Sequence, residues 1–375
     1  MKRTTSGFAL AALVSGFGCS SSPDAEPQAN AGASAGGAGQ VAGGGGQVSQ
    51  AGSGGQGVPG GTGQVSGGSA ASGTSAGQAG AGGVGVSGGG PAGGFANGGA
   101  GSPGTGGAPS TDVCTRWKAD RADMSEGTWS GNVASCMAGD LSANARANAL
   151  RLVNLYRFLA GLPDDVTTDP TYDSGNQACA LMMKANDALN HMPPTTWTCY
   201  TKPGADSAGQ SNISSGRAVM SVDLYMIDTG NATTLGHRRW LMSNTLGPIG
   251  IGGTDGASCL HVFNGKGKGT KAFVAWPPGG TVPLQAITRG KESLDKTGWS
   301  IQSDKIDLKN AQVAVTLDGV SKPVTVTQLL PNYGAAFAID FIPQGWSTEA
   351  GKSYAVSVSG VATPISYTVN VVDCK

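Results

Sequence analysis

The sequence predicts an α+β protein carried behind a long low-complexity segment. Three observations point there. Apolar residues recur at helical spacing from Leu141 to about Met242. From Lys271 onward they alternate with a period of two. Neither pattern occurs in the glycine-rich tract that precedes both. The boundaries divide the chain into a signal-type segment at 1–19, a tether at 20–110, a helical domain at 111–265 and a β-sandwich domain at 270–375.

The N-terminus reads as an export signal. Lys2 and Arg3 precede an apolar run, Phe8 to Phe17, that stops at Gly18-Cys19. Such a run is too short to span a hydrocarbon core of about 30 Å as a helix. Gly16-Phe17-Gly18-Cys19 resembles a bacterial lipobox, whose cysteine is lipidated, although Gly16 stands where leucine is usual. The alternative is a plain secretory signal cut nearby. Setting Cys19 apart from the seven cysteines leaves six: Cys114, Cys136, Cys179, Cys199, Cys259 and Cys374. An even set in an exported chain predicts three disulfides, with 15 connectivities open. A bridge from Cys374 would pin the end of the chain, and Cys259 is the partner considered for it. The expected location is the outer membrane or cell surface, held by a lipid at Cys19, or otherwise the secreted fraction.

Between Ala31 and Ser110 lie 34 of the 64 glycines and no Asp, Glu, Lys or Arg. Such a tract cannot bury enough apolar surface to offset backbone ordering at roughly 1–2 kcal/mol per residue, and is expected to be a disordered tether. Past residue 110 the charges balance, 22 basic against 22 acidic once the two of each sign near the N-terminus are set aside (24 − 2). That balance argues against a nucleic-acid partner. The tract also contains chance matches to the nucleophile-elbow pattern, at Gly32 to Gly36 and Gly73 to Gly77. Another, at Gly83 to Gly88, matches the dinucleotide fingerprint. All three lack the flanking strand and helix those motifs require.

The helical part opens with Leu152, Leu155, Tyr156 and Leu159 on one face, a cap at Asp140 or Ser142, and a stop at Gly161 and Pro163. Asp169-Pro170 starts a second helix, expected to reach about Asn190, with Leu181, Ala185, Leu189 and Met192 as its buried stripe. A third is expected from Arg217 to Asp228 and a short fourth from Gly236 to Met242. In the C-terminal part, Val313-Val315-Leu317 precede a turn at Asp318-Gly319. Val324-Val326, Phe337-Ile339-Phe341, Tyr354-Val356-Val358 and Tyr367-Val369-Val371 continue the alternation. Short alternating strands at this spacing predict a β-sandwich of immunoglobulin-like type. Trp276-Pro277-Pro278-Gly279 is the expected junction, and Lys266, Lys268 and Lys271 read as a solvated loop.

Several of these segments resemble one family. They are Leu152-Val153-Asn154-Leu155-Tyr156-Arg157, Gln210-Ser211-Asn212-Ile213, Gly236-His237-Arg238-Arg239-Trp240-Leu241 and Gly247-Pro248-Ile249-Gly250-Ile251-Gly252. Together they resemble the CAP superfamily of cysteine-rich secretory, antigen 5 and pathogenesis-related 1 proteins. The resemblance covers about a third of the chain and implies a three-layer α-β-α sandwich with a cleft holding two histidines and two acids. His191 and His237 match the histidines. Ser211, beside Asn212, stands where the family has an acid. Asp228 best matches the second acid, with Asp223 the weaker candidate.

In some members the cleft holds a divalent metal such as zinc. Here His191 and His237 would be its ligands, in a donor set short of the usual three. The residues alone also allow His191 to be a helix-end histidine favoured by the dipole, and His237 to lie with Arg238 and Arg239 on a solvated basic face. His261 reads as an ordinary strand residue. The function implied is binding of a lipid-like or cell-envelope ligand, with no catalytic residue assigned. An adhesive surface module built on the β-sandwich is the alternative. A hydrolase using His191 or His237 as base and Ser211 as nucleophile ranks below both.

Overall fold

The computed structural model describes residues 110–375, with side chains from Asp112. The signal-type segment, the lipidation candidate Cys19 and the tether up to residue 109 lie outside the described residues. The first half of the described chain contains α1 (Ser110–Asp120), α2 (Ala143–Leu159), α3 (Pro170–Asn186), α4 (Lys202–Ala208) and β1 (Ser211–Ser214). It continues through α5 (Ala218–Ile227), α6 (Gly236–Leu241), β2 (Ile251–Gly253) and β3 (Ser258–His261).

The expected starts hold: Ser142 caps α2, and Asp169 caps α3 with Pro170 in its first turn. The expected end of α3 does not. Asp187 adopts a left-handed conformation (φ 48°), its amide donates to Lys184 O, and the helix stops at Asn186. Leu189 and Met192 are therefore exposed loop residues rather than a buried stripe. The face α3 does bury carries Asp173, Asn176, Gln177, Cys179 and Met183. Asp173 Oδ1 accepts from the Ile251 amide, Asn176 Nδ2 donates to Gly250 O, and Gln177 Nε2 donates to Gly253 O, so polar side chains weld this helix to the sheet.

The sheet runs β1-β3-β2, antiparallel throughout, with Ser211 opposite His261 and Ile251 opposite Leu260. Helices cover both of its faces. A Cβ on Gly252 would lie 2.1 Å from the Asn176 carbonyl carbon of α3. One on its neighbour Gly253 would meet Ala218 of α5 at 3.0 Å on the opposite side, as the alternation of a strand requires. The N-terminus of α5 has no cap of its own. Glu126, from the loop after α1, accepts from the Val219 and Met220 amides at 2.8 and 2.7 Å, placing negative charge at the positive helix end.

The second half contains β4 (Val274–Trp276), β5 (Gly280–Pro283), α7 (Leu284–Ile287), β6 (Thr288–Arg289), β7 (Glu292–Ser293), α8 (Leu294–Thr297) and β8 (Trp299–Ser303). Then come β9 (Gln312–Leu317), β10 (Val320–Lys322), β11 (Val324–Gln328), β12 (Phe337–Pro343), β13 (Ser353–Ser359) and β14 (Ile365–Val372). Each alternating run read from the sequence is a strand. One sheet has the order β10-β9-β13-β14-β5, with β5 parallel to β14; the other has β11-β12-β8-β4; β6 and β7 pair separately. Val356 and Val369 of the first sheet share a core with Ile301 and Phe341 of the second, and Trp299 meets Tyr354 edge-on across the gap at 5.8 Å. The protein is thus α+β, helices with several antiparallel sheets.

The buried cluster continues across the junction between the halves. Trp276 of β4 packs edge-on against Tyr156 of α2, with ring centroids 5.5 Å apart. Lys271, read as solvated, is half-buried, and burial lowers its pKa. The cysteines pair as Cys114–Cys374, Cys136–Cys199 and Cys179–Cys259. The Cys374–Cys259 bridge considered above is not formed. Cys259 sits in β3 beneath α3, where Cys179 meets it, and the chain end after β14 lies against α1 instead. Three disulfides fit an oxidising, extracytoplasmic environment. Among the described residues no helix is long and apolar enough to cross a membrane.

Two outcomes follow from this packing. The Cys114–Cys374 bridge joins residues 260 apart. Replacing both by serine should lower unfolding stability by about 3–5 kcal/mol, read by denaturant titration. Asp340, buried in β12, has its carboxyl pushed up to about 6 by burial. A raised acid binds its proton more tightly in the folded state, so its ionisation opposes folding. Stability should fall as pH rises from about 4 through 6, and Asp340→Asn should flatten that limb.

Candidate functional site

The cleft is built around α6. This helix is six residues long and too short to hold itself. It begins after Leu235 in a left-handed conformation (φ 44°), and neighbouring groups fix it in place. Asp228, the left-handed end of α5 (φ 62°), turns its carboxylate back to it. Asp228 Oδ2 accepts from the Arg238 amide at 3.1 Å, while Oδ1 accepts from Asn231 Nδ2 at 2.7 Å and lies 2.9 Å from His237 Nδ1. Asn231 Nδ2 also lies 2.8 Å from His237 Nδ1, and a proton on that nitrogen would point at the Asp228 carboxylate. Burial acts to raise the Asp228 pKa, but the His237 ring and Arg238 outweigh it, and the carboxyl titrates below its ordinary range.

His191 reaches the same cleft from the loop after α3. Its Nδ1 lies 2.9 Å from the carbonyl of Ala208 at the end of α4, so this ring holds its proton on Nδ1. The two histidines, 46 positions apart (237 − 191), line one cavity with Ser211, Asn212 and Asn231. Trp240, Phe263 and Tyr333 supply the aromatic part of the wall, and Gly209 and Gly236 complete it. The enclosed space is about 40 Å³, within some 430 Å³ that includes open solvent. Trp240 and Phe263 pack at 4.1 Å between centroids. Tyr333 comes from the β11–β12 loop, so both halves of the protein build the site.

The other expected residues fall as follows. Ser211 is buried, and its hydroxyl donates to Asn176 Oδ1 at 2.9 Å. Asn212 donates to the His237 carbonyl at 3.0 Å, a positioning contact. Asp228 is buried behind His237 and is not part of the wall. Asp223 lies elsewhere, taking a bidentate pair from Arg121, the Tyr156 hydroxyl and Arg289. His261 is buried in β3 and stacked on Tyr172, and burial lowers its pKa.

Arg238 and Arg239 do not form a solvated face: each is 1% exposed. Arg238 donates to Met226 O and Ile227 O on one side, and to Gly298 O and Ser300 Oγ on the other. Arg239 donates to Thr234 O, Leu330 O and Ala335 O. Burial lowers both to about 10, so both stay charged at neutral pH. Sequence reasoning missed their role and that of Tyr333.

A zinc site does not fit this donor set. Two imidazoles face the cleft, Asp228 is engaged behind one of them, and the Ser211 proton goes to Asn176. Among the described residues no group of three His, Cys, Asp or Glu side chains could hold a metal. No family model, curated protein or solved structure matches the chain.

The Asp228 geometry sets an expectation. A carboxyl held below its unfolded pKa stabilises the fold above the unfolded value, and that contribution is lost as pH falls through the folded one. Asp228→Asn places an amide where the carboxylate receives the Arg238 N–H. It should cost about 1–3 kcal/mol at pH 7 and show a shallower acid limb in pH-dependent thermal melts.

Proposed function

We propose that this is an exported, lipid-anchored protein of CAP type that binds a lipid-like or cell-envelope ligand in the His191–His237 cleft. The observation that carries this reading is the convergence of the two histidines on one cavity, each ring oriented by a bond from Nδ1. Helices on both faces of a three-stranded sheet agree with the α-β-α layering that the family resemblance implies, and the paired β-sheets agree with an immunoglobulin-like C-terminal module. A cleft with a few oriented polar groups and an aromatic wall suits a small bound molecule. Anchoring rests on Cys19 and the run before it, and the six remaining cysteines forming three bridges agree with export.

A hydrolase reading has one supporting feature, since a buried carboxylate bonded to His237 Nδ1 is also how a general base is oriented. Ser211 is a poor nucleophile for it, with its hydroxyl committed to Asn176. The test screens lipids, sterols and cell-envelope fragments by tryptophan fluorescence. Binding should weaken at least about tenfold in both His191→Ala and His237→Ala. A ligand held equally by both variants would place its site elsewhere, and turnover abolished by His237→Ala would favour the hydrolase. Mass spectrometry of the mature protein should find acyl chains on Cys19.

A further inference from the structure

The three disulfides sit in unlike surroundings. Cys179 and Cys259 are wholly buried where α3 covers β3. Cys374 is buried too, with Cys114 half-buried against it. In the third bridge Cys199 is half-buried and Cys136 is exposed, so this bridge alone presents an exposed cysteine to solvent. The backbone sets the same bridge apart. Cys136 (φ 51°) and Cys199 (φ 59°) both stand in the left-handed region, and the other four bridged cysteines do not. A residue with a Cβ is crowded there, and cysteine lacks the short polar arm with which Asn or Asp tolerates it.

The bridge ties together two excursions of the chain. Cys136 lies at the tip of a hairpin closed by reciprocal backbone bonds between Asn132 and Met137 at 2.8 and 2.9 Å. Its neighbours Ser135 and Met137 are exposed as well. Cys199 ends an irregular segment that leaves α3 at the left-handed Asp187 and carries His191 to the cleft. Noncovalent ties also hold that segment. Asn186 bonds the Thr198 amide and carbonyl, both at 3.0 Å, His191 Nδ1 meets Ala208 O, and Trp197 packs by the Cys179–Cys259 bridge.

We propose that Cys136–Cys199 is a thiol–disulfide exchange site, opened by an extracytoplasmic dithiol while the other two bridges stay closed, and that opening it loosens the segment that delivers His191. One thiolate of the dithiol attacks the exposed Cys136 sulfur, forms a mixed disulfide and expels Cys199 as a thiolate. The second thiolate of the dithiol attacks its own partner sulfur in that mixed disulfide and expels Cys136. The dithiol ends as a disulfide, its two electrons reside on the two cysteine sulfurs, and the two protons it lost complete their thiols. Access selects the bridge, because an attacking sulfur must reach the bond and the buried pairs are reached only when the fold opens. Exposed and strained bridges are the labile ones, and once open both cysteines are released from the left-handed region. The exchange site stands without the cleft reading; only its consequence for binding rests on it.

The experiment incubates the intact protein with dithiothreitol at about pH 8, near the thiol pKa, without denaturant. Samples are trapped with iodoacetamide and the alkylated cysteines are mapped by mass spectrometry. Cys136 and Cys199 should be labelled together, at least about tenfold faster than the other four. Labelling of all six at one rate, or earlier opening of another bridge, overturns the proposal. Hydrogen exchange of the selectively reduced protein tests the coupling. Amides of 187–199 should exchange at least about threefold faster than in the oxidised protein, while α2 stays protected. Unchanged exchange there overturns the link to His191. The Cys136→Ser/Cys199→Ser double variant should reproduce the faster exchange and respond no further to brief dithiothreitol treatment. Loss of protection across α2 in that variant would make the bridge a structural staple and sink the switch. Neither readout uses a ligand, so a failure here is told apart from a failure of the cleft reading.

Discussion

The cleft depends on two buried arginines. A six-residue helix contributes too few internal hydrogen bonds to persist alone, yet α6 holds His237 Nδ1 2.9 Å from Asp228 Oδ1. Arg238 and Arg239, the next two residues, do this by leaving water entirely. Taking a guanidinium from solvent is expensive unless its donors are met, and here backbone carbonyls from both halves of the protein supply most of the acceptors. Arginine suits this role because its planar fork reaches several fixed acceptors at once, which a lysine ammonium on a flexible stem cannot. The same bonds that fix α6 therefore fasten the C-terminal sheets to the helical half.

This arrangement explains how charged groups stand close behind a cleft that, among the described residues, no Asp, Glu, Lys or Arg lines. Asp228 is ionised, but its lone pairs go to His237, Asn231 and the Arg238 amide. The guanidiniums face away into carbonyls. What reaches the cleft is their second-hand effect: an oriented histidine ring, and a tyrosine loop held in place. Orientation by a buried partner is the usual way an imidazole is made directional.

Much of the local structure was legible in the sequence because it is set by local chemistry. Ser142 and Asp169 mark helix starts through bonds to nearby backbone amides, Pro170 by filling a first turn, and period two shows five strands because apolar residues alternate along each. His237 was legible through the motif segment around it, and His191 through its place at the expected end of the second helix. The remainder was set by contacts distant in sequence. Hydrophobic spacing carried α3 to Leu189 and Met192, but Asp187 turned the chain and the helix bonded to its sheet through Asp173, Asn176 and Gln177, polar residues that read as surface. Arg238 and Arg239 looked solvated for the same reason, since their acceptors lie up to 96 positions away. Cysteine count predicted bridges, but only the docking of the β14 end against α1 selects Cys114 for Cys374.

The C-terminal half is consequently more than an appended module. Truncating the chain near residue 265 would take Trp276 from Tyr156, strip Arg238 and Arg239 of acceptors, leave Cys114 without Cys374 and remove Tyr333 from the cleft. Each loss exposes a group whose burial was made tolerable by the other half. An adhesive role confined to the isolated sheets would require them to fold without these partners. The joint construction of the wall, His237 from one side and Tyr333 from the other, makes the cleft a feature that neither half forms alone.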